Sequence, residues 1–275
     1  IAKSESAYSR DFRAFDSTIG ARFPNPRVED AFGDDTMPQT ADNVAAEVGI
    51  SREEADTYAA RSQALYEAAR ADGFFTDEIL PIEVSQGRKK PAKVVDQDEH
   101  PRPSSDMAAL SGLRPLFKDG VVTAGNASGV NDGAAALLIG DAAIGEKYGI
   151  KPRAKVLAGA VSGVAPRVMG LGPVEACKKA LSRAGLTLDD MDVIEINEAF
   201  ASQVLGCAKQ LGIAFDDPRL NPNGGAIAVG HPLGASGARL TLTALRQLER
   251  TGKRYALVSL CIGLGQGVAA VIERV

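Results

Sequence analysis

Beyond Asp119-Gly120 the chain alternates between two hydrophobic periods, and this alternation constrains the fold more than any single motif. Ala134 to Ile139 is a continuous apolar run, and a helical pattern follows from Asp141 to Tyr148. Val156–Val161 reads as a strand. Pro173 opens a helix at its first turn, with Gly185 as the stop. Asp192–Ile196 is the next strand, leading into a helix over Glu198–Leu211. A further helix spans Gly237–Arg250 and ends near Gly252, and Tyr255–Leu260 and Val268–Ile272 are the last strands. Strands that are apolar on both sides need cover on both faces. The expected architecture is therefore a layered α/β fold.

The first 120 or so residues have a different texture and read as a less regular, helix-rich loop domain preceding the layered one. Residues 1–38 mix charges with Gly20, Gly33, Pro24 and Pro26 and sustain no period, so they read as irregular. From Ser51 a helix is well signalled. Ser51 can cap it, Glu54 completes a capping box, and an Ala-rich stretch runs to Gly73. Leu80, Ile82 and Val84 alternate as a short strand, and residues 86–106, charged and Pro-containing, read as loop. With 275 residues, 45% of them apolar, the chain can build one large core or two smaller ones. Trp is absent, so that core must come from Ala, Val, Leu and Ile.

The formal net charge of −4 argues against a nucleic-acid partner, because neutralising phosphates needs a Lys/Arg excess on one face. The one dense basic run, Arg88-Lys89-Lys90 with Lys93, reads first as a solvated loop and second as a local anion site. Cys177, Cys207 and Cys261 show no metal-ligand spacing, and an odd count fits free thiols in a reducing, cytoplasmic compartment. No apolar run reaches membrane-spanning length. The chain opens on Ile1 rather than Met, which predicts a cut N-terminus.

Three segments carry chemistry. Asn221-Pro-Asn-Gly-Gly-Ala-Ile-Ala-Val-Gly-His231-Pro-Leu-Gly-Ala-Ser-Gly237 sets one histidine among five glycines just before a helix. A lone histidine would read as structural. Loops this rich in glycine lose much entropy on ordering and usually exist to admit a ligand, which favours a general base. Leu260-Cys261-Ile-Gly263-Leu-Gly-Gln-Gly267 ends an apolar strand in a glycine turn whose N–H groups could face an oxyanion. A buried structural cysteine is the alternative. No helix follows this turn, so it is not a dinucleotide fingerprint. In Ile196-Asn197-Glu198-Ala199-Phe200, Asn197 reads equally as a crevice residue at a strand-to-helix switch and as a helix N-cap. Thr123 to Gly133 is an ordinary cluster of small turn residues, and His100 reads as exposed.

Asn197-Glu-Ala-Phe, Gly230-His-Pro-Leu-Gly and Cys261-Ile-Gly-Leu-Gly, in that order near the C-terminus, resemble the thiolase family. So do Asn126-Ala-Ser-Gly and Val168-Met-Gly, and the likeness runs over the whole chain. Met37-Pro-Gln-Thr-Ala-Asp-Asn and Ser162 to Gly170 look closest to the branch acting on 3-oxoadipyl-CoA and related acyl-CoAs. The resemblance implies a loop, CoA-binding domain over 1–130, a strand and helix over 131–150 completing the N-terminal thiolase domain, and a layered α-β-α C-terminal domain over 151–275. It implies that His231 is the base activating the nucleophilic cysteine and that Cys261 moves the proton at the acetyl α-carbon. It also implies that Asn197 holds an oxyanion-stabilising water and that the Gly263 backbone donates in a second oxyanion hole. Ser128, Met169, Phe117, Arg102, Ala199, Phe200 and Met37 match positions near CoA, pantetheine or substrate. Coenzyme A is then a substrate rather than a resident cofactor, and a homodimer or homotetramer is expected. Where many family members place a substrate-touching His, beside Met37, this chain has Thr36, which argues against a plain acetoacetyl-CoA enzyme. None of the three cysteines stands in the small-residue Cys turn that bears the acyl group in thiolases. The expectation is a C-terminal part without the acylated thiol. A non-catalytic acyl-CoA or lipid carrier is the main alternative, and a ketoacyl-synthase relative is a third reading.

Overall fold

The computed structural model describes residues 25–88 and 90–275. The expected irregularity of residues 1–24 and the Lys89 part of the basic run lie outside them. The sheet comprises β3 (Ala154–Gly163), β4 (Val193–Ile196), β5 (Tyr255–Ile262) and β6 (Gln266–Arg274), in the order β3-β6-β5-β4. Only β4 and β5 are parallel. β6 returns antiparallel from β5 through the Ile262–Gln266 turn and pairs antiparallel with β3. The turn needs Leu264 and Gly265 at positive φ, and a Cβ at Gly265 would strike the Val164 carbonyl.

Side-chain alternation sorts the sheet into two faces. Ile194, Ile196, Leu257, Ala269 and Val271 pack with Cys177, Ala180 and Leu181 of α6 (Gly172–Ala184) and with Val204 and Ala208 of α7 (Ala201–Leu211). Val193, Ala256, Val258 and Ile272 pack against Leu240, Ala244 and Leu248 of α9 (Ser236–Thr251). Each such fully buried Leu contributes about 1.5–3 kcal/mol relative to exposure. The layered α-β-α order expected from the sequence is thus present. Cover on the α9 side is incomplete at β3, however, where Val156 and Val161 remain 60% and 68% exposed.

The first half is helix-rich, as expected, and it holds helices that the sequence reading did not assign. α1 (Pro26–Phe32) and α2 (Met37–Val48) occupy ground read as irregular or left unassigned. Pro26 and Pro38 sit in their first turns, where the missing N–H costs nothing. α3 (Arg52–Ala71) begins at Ser51 with the expected capping box to Glu54. β1 (Ile82–Val84) forms, and β2 (Lys93–Val95), inside the segment read as loop, pairs with it antiparallel. α4 (Met107–Ser111) follows, then α5 (Ala142–Lys147). The apolar run Ala134–Ile139 is not a strand. A strand requires a neighbour for its ladder, and the run has none among the described residues. It lies irregular, with Leu138 84% and Ile139 75% exposed. α7 starts at Ala201 rather than Glu198 because the residues before it stay extended: Ala127 bridges Phe200, and Asn126 O accepts from Ala201 N.

Candidate active site

Asn197 continues the β4 line, its N–H donating to Ser259 O of β5 at 2.9 Å. It is fully buried, with Phe200 rather than Asn197 at the N-cap position of α7. Its side chain meets His231, with Nδ2 3.3 Å from Nε2. His231 follows α8 (Ala226–Val229) and is locked from three sides. Its N–H is shared between Gly129 O at 3.2 Å and Asn131 Oδ1 at 3.1 Å, and its Nδ1 lies 2.6 Å from Ser236 Oγ. Ser236 donates its own proton to Pro232 O at 3.0 Å. A hydroxyl has one proton, so Ser236 must accept from Nδ1–H, which leaves Nε2 as the lone-pair nitrogen facing the Asn197 amide. Burial, and then the charge of Arg239, lower His231 to about 4, so at neutral pH it is a free base.

The loop that presents His231 hangs on Glu198. This carboxylate is fully buried and accepts from Tyr58 OH (3.0 Å), Ser62 Oγ (2.6 Å), Asn221 Nδ2 (3.0 Å) and Ile227 N (3.1 Å). Asn221 also bonds Ile196 N and O, stitching the glycine loop to β4. A Cβ on Gly225 would collide with the Glu198 carboxylate, and one on Gly230 would collide with Asn131. These glycines are therefore required for close approach. The sequence reading quoted Glu198 and Ser236 inside their motifs and gave them no role. Tyr58 lies in a segment without a sequence signal for the site, and Asn131 in the Thr123–Gly133 loop read as an ordinary turn cluster.

Cys261 lies near the end of β5, two residues beyond Ser259, so it stands at the same end of the sheet as Asn197. Alternation sets it with Leu257 and Ser259 on the α6 side, and among the described residues no hydrogen bond joins it to His231. The residue keeps some exposed surface, yet burial pushes its thiol up to about 12. Burial likewise raises Cys177 to about 11 and raises Cys207 well above the usual thiol range. All three are protonated thiols near neutral pH. Gly263 opens the turn, with nothing within 4 Å of the place a Cβ would take, and its carbonyl accepts from Gln266 Nε2 at 3.0 Å.

Of the other sequence-selected residues, the structure joins Ser128, Ala199 and Phe200. Ser128 N and Oγ both donate to Ala199 O, at 3.0 and 3.1 Å. Met169 is buried in the 3₁₀ turn Pro166–Leu171. Met37 and Phe117 are partly exposed, and their segments are tied through Asp42 of α2, which accepts from Val121 and Val122 N–H. Arg102 turns its guanidinium onto the Glu99, His100 and Pro101 carbonyls of its own loop. His100 is not exposed as expected. It is half-buried against Gly129, with Nδ1 3.5 Å from Asn131 Nδ2. Among the described residues no group of three or more His, Cys, Asp or Glu could hold a metal ion.

A neutral imidazole with a fixed tautomer and a buried amide against it thus stand at the C-terminal edge of a layered α/β domain, and a buried thiol lies at the end of the neighbouring strand. The chain belongs to the thiolase family of acyl-CoA C-acyltransferases. The family model for the thiolase C-terminal domain matches residues 150–274, and that for the N-terminal domain matches residues 16–143. The chain is 54% identical to the beta-ketoadipyl-CoA thiolase of Acinetobacter baylyi over 276 aligned positions, which cover all of this chain and 69% of the relative. The crystal structure of the Bacillus anthracis acetyl-CoA acetyltransferase superposes with a TM-score of 0.84 at 42% identity, covering 87% of this chain and 60% of that one. The human mitochondrial 3-ketoacyl-CoA thiolase in complex with CoA superposes with a TM-score of 0.81 at 44% identity, covering 88% and 60%. The chain thus spans about two thirds of the length of these proteins.

Proposed function

We propose that this chain supplies the base, the second cysteine and the oxyanion groups of a thiolase that cleaves a 3-ketoacyl-CoA to acetyl-CoA and a shortened acyl-CoA, or runs the reverse Claisen condensation, by ping-pong acyl transfer. The observation that carries the reading is the Asn197–His231–Ser236 relay, with 3.3 Å on one side of the imidazole and 2.6 Å on the other. Ser236 holds the Nδ1 proton, so Nε2 is the atom that accepts the proton of a nucleophilic thiol. Once charged, His231 and the Asn197 amide are two donors for a thioester oxyanion. Cys261, a thiol kept protonated by burial, suits delivery and recovery of a proton at an α-carbon. The open Gly263 backbone suits the second oxyanion. A carrier of acyl-CoA would have no use for a tautomer-locked base.

The CoA path runs past Ser128, Ala199 and Phe200, with Met169, Phe117, Arg102 and Met37 contributing from the surrounding loops. The division at 1–130, 131–150 and 151–275 follows from the same reading. The acyl group rests on a cysteine other than Cys177, Cys207 and Cys261. The acyl chain is a dicarboxylic, beta-ketoadipyl type, as in the name of the Acinetobacter relative. The working protein is a cytoplasmic homodimer or homotetramer whose only partners are CoA and acyl-CoA, with no nucleic acid, no membrane and no resident cofactor.

The test is to incubate the 275-residue chain with acetoacetyl-CoA or acetyl-CoA and CoA, following turnover and intact mass. The expected result is no acetyl adduct and no turnover. Ser128→Trp, placed in the thiolase reconstituted with a leading segment, is expected to raise KM for acyl-CoA. Turnover by the 275 residues alone at the level of an intact thiolase would overturn the assignment of roles to the three cysteines.

A further inference from the structure

Behind the His231 loop lies a row of charges that the proton relay does not use. On α9, Ser236, Arg239, Thr243 and Arg246 follow at helical spacing, so they line one stripe. Ser236 anchors His231, and Arg239 is its neighbour one turn along. Arg239 Nε and Nη2 are buried and have no hydrogen-bond partner among protein atoms. Opposite, on β4, Glu195 shares the α9-facing side with Val193 and is 0% exposed, and neither carboxylate oxygen has a protein partner. Thr243 Oγ1 donates to Glu78 Oε1 at 2.6 Å, and Arg246 Nε stands 3.9 Å from Glu78 Oε2. Asp98, from the loop after β2, also faces Arg239.

We propose that Arg239 is a positioning residue of the acyl-transfer centre: its cation, buried on the α9 stripe one helical turn from Ser236, biases His231 towards the neutral imidazole that can take a thiol proton. The inference rests on the reading of His231 as the base. The side chains that meet His231 directly, Asn197 from β4, Asn131 from its loop and Ser236 from α9, are all neutral. Arg239 is the charge acting on it. A like charge disfavours protonation, and in a partly buried setting it is weakly screened. Glu195, Glu78 and Asp98 are the acidic groups that feel the Arg239 charge, from three other segments. Burial pushes Glu195 up to about 8, so below that pH it is a neutral carboxyl and does not cancel the cation felt by His231.

The chain has two histidines, His100 and His231, so imidazole ¹⁵N NMR reads each directly without turnover. A His100→Gln variant assigns the signals, and His100 then serves as the internal reference. In the parent chain His231 stays neutral down to pH 5. Arg239→Gln moves its midpoint up by about one pH unit, and Arg239→Lys, which keeps the charge, returns it to within a few tenths of the parent. The double variant Arg239→Gln with Glu195→Gln removes the cation together with the buried titratable carboxyl, and shows the same upward shift. It stands in for the single variant if that one does not fold. A folded Arg239→Gln or double variant with an unmoved His231 midpoint would overturn the proposal. So would an Arg239→Lys shift as large as that of Arg239→Gln, because both would mean that packing, not charge, is what Arg239 supplies. Either result leaves the acyl-transfer reading standing, since that reading is tested by turnover and adduct formation.

Discussion

Glu195 and Glu198 are three residues apart and both 0% exposed, yet they are solved in opposite ways. Glu198 lies where the chain leaves β4 and is met by four donors from α3 and the glycine loop. Glu195, in mid-strand under α9, has no hydrogen-bond partner among protein atoms. A buried carboxylate with donors on every side acts as a tie, and one without them becomes a titrating group. The same strand therefore carries a structural anchor for the His231 loop on one side and a pH-sensitive charge beneath α9 on the other.

Removing the tie should cost most. Glu198→Ala leaves the Tyr58 and Ser62 hydroxyls and Ile227 N–H without their acceptor, and should destabilise the chain by about 3–5 kcal/mol in urea unfolding. A loss under about 1 kcal/mol would mean that the loop holds itself. Glu198→Gln, which keeps an acceptor, should cost distinctly less.

Removing the titrating group should act through pH. Glu195 is raised from 4.5 to about 8, so between those values the native chain holds a proton that the unfolded chain has released. Stability contributed at this site therefore falls as pH rises through that window. His231 is lowered from 6.5 to about 4, so between pH 4 and 6.5 the unfolded chain binds the extra proton and stability rises with pH. The two slopes offset each other between about pH 4.5 and 6.5, so the wild type should be most stable across that mildly acid window and lose stability above it. Glu195→Gln should remove the alkaline slope and uncover the rise between about pH 4.5 and 6.5 that His231 contributes. Urea midpoints from pH 4.5 to 9 would check this, and an unchanged alkaline slope would relocate the titration to another group.

The smallest effect belongs to neither carboxylate. Ser51→Ala removes the cap of α3, the helix that brings Tyr58 and Ser62 to Glu198, and should cost about 1 kcal/mol. A loss as large as that of Glu198→Ala would show that the anchor fails with its helix.

This contrast also marks what the sequence could disclose. Periodicity and caps disclosed α3, α6, α9 and the four strands of the main sheet, because local chemistry decides them. Pro26 of α1 misled because Pro breaks a helix interior and favours a first turn, and composition alone does not distinguish the two. Ala134–Ile139 misled because apolar periodicity marks a segment able to pair, not one that has a partner. At the site, His231 and Asn197 were legible from their glycine loop and strand end. Glu198 was in plain view within its motif, but its role depends on Tyr58 and Ser62, some 140 residues away in sequence. Arg239 and Glu195 read as an ordinary helix residue and an ordinary strand residue until α9 is laid across β4.

The central claim is that His231, held by Ser236 and faced by Asn197, is the base of an acyl-transferring centre. The most direct test joins the leading segment of the Acinetobacter thiolase to this chain and compares the fusion with its His231→Ala form in CoA-dependent cleavage of beta-ketoadipyl-CoA. The account predicts turnover by the fusion and a loss of about 10³-fold in kcat on replacing His231, with little change in KM. An active fusion that keeps its rate within about tenfold after the replacement would contradict it.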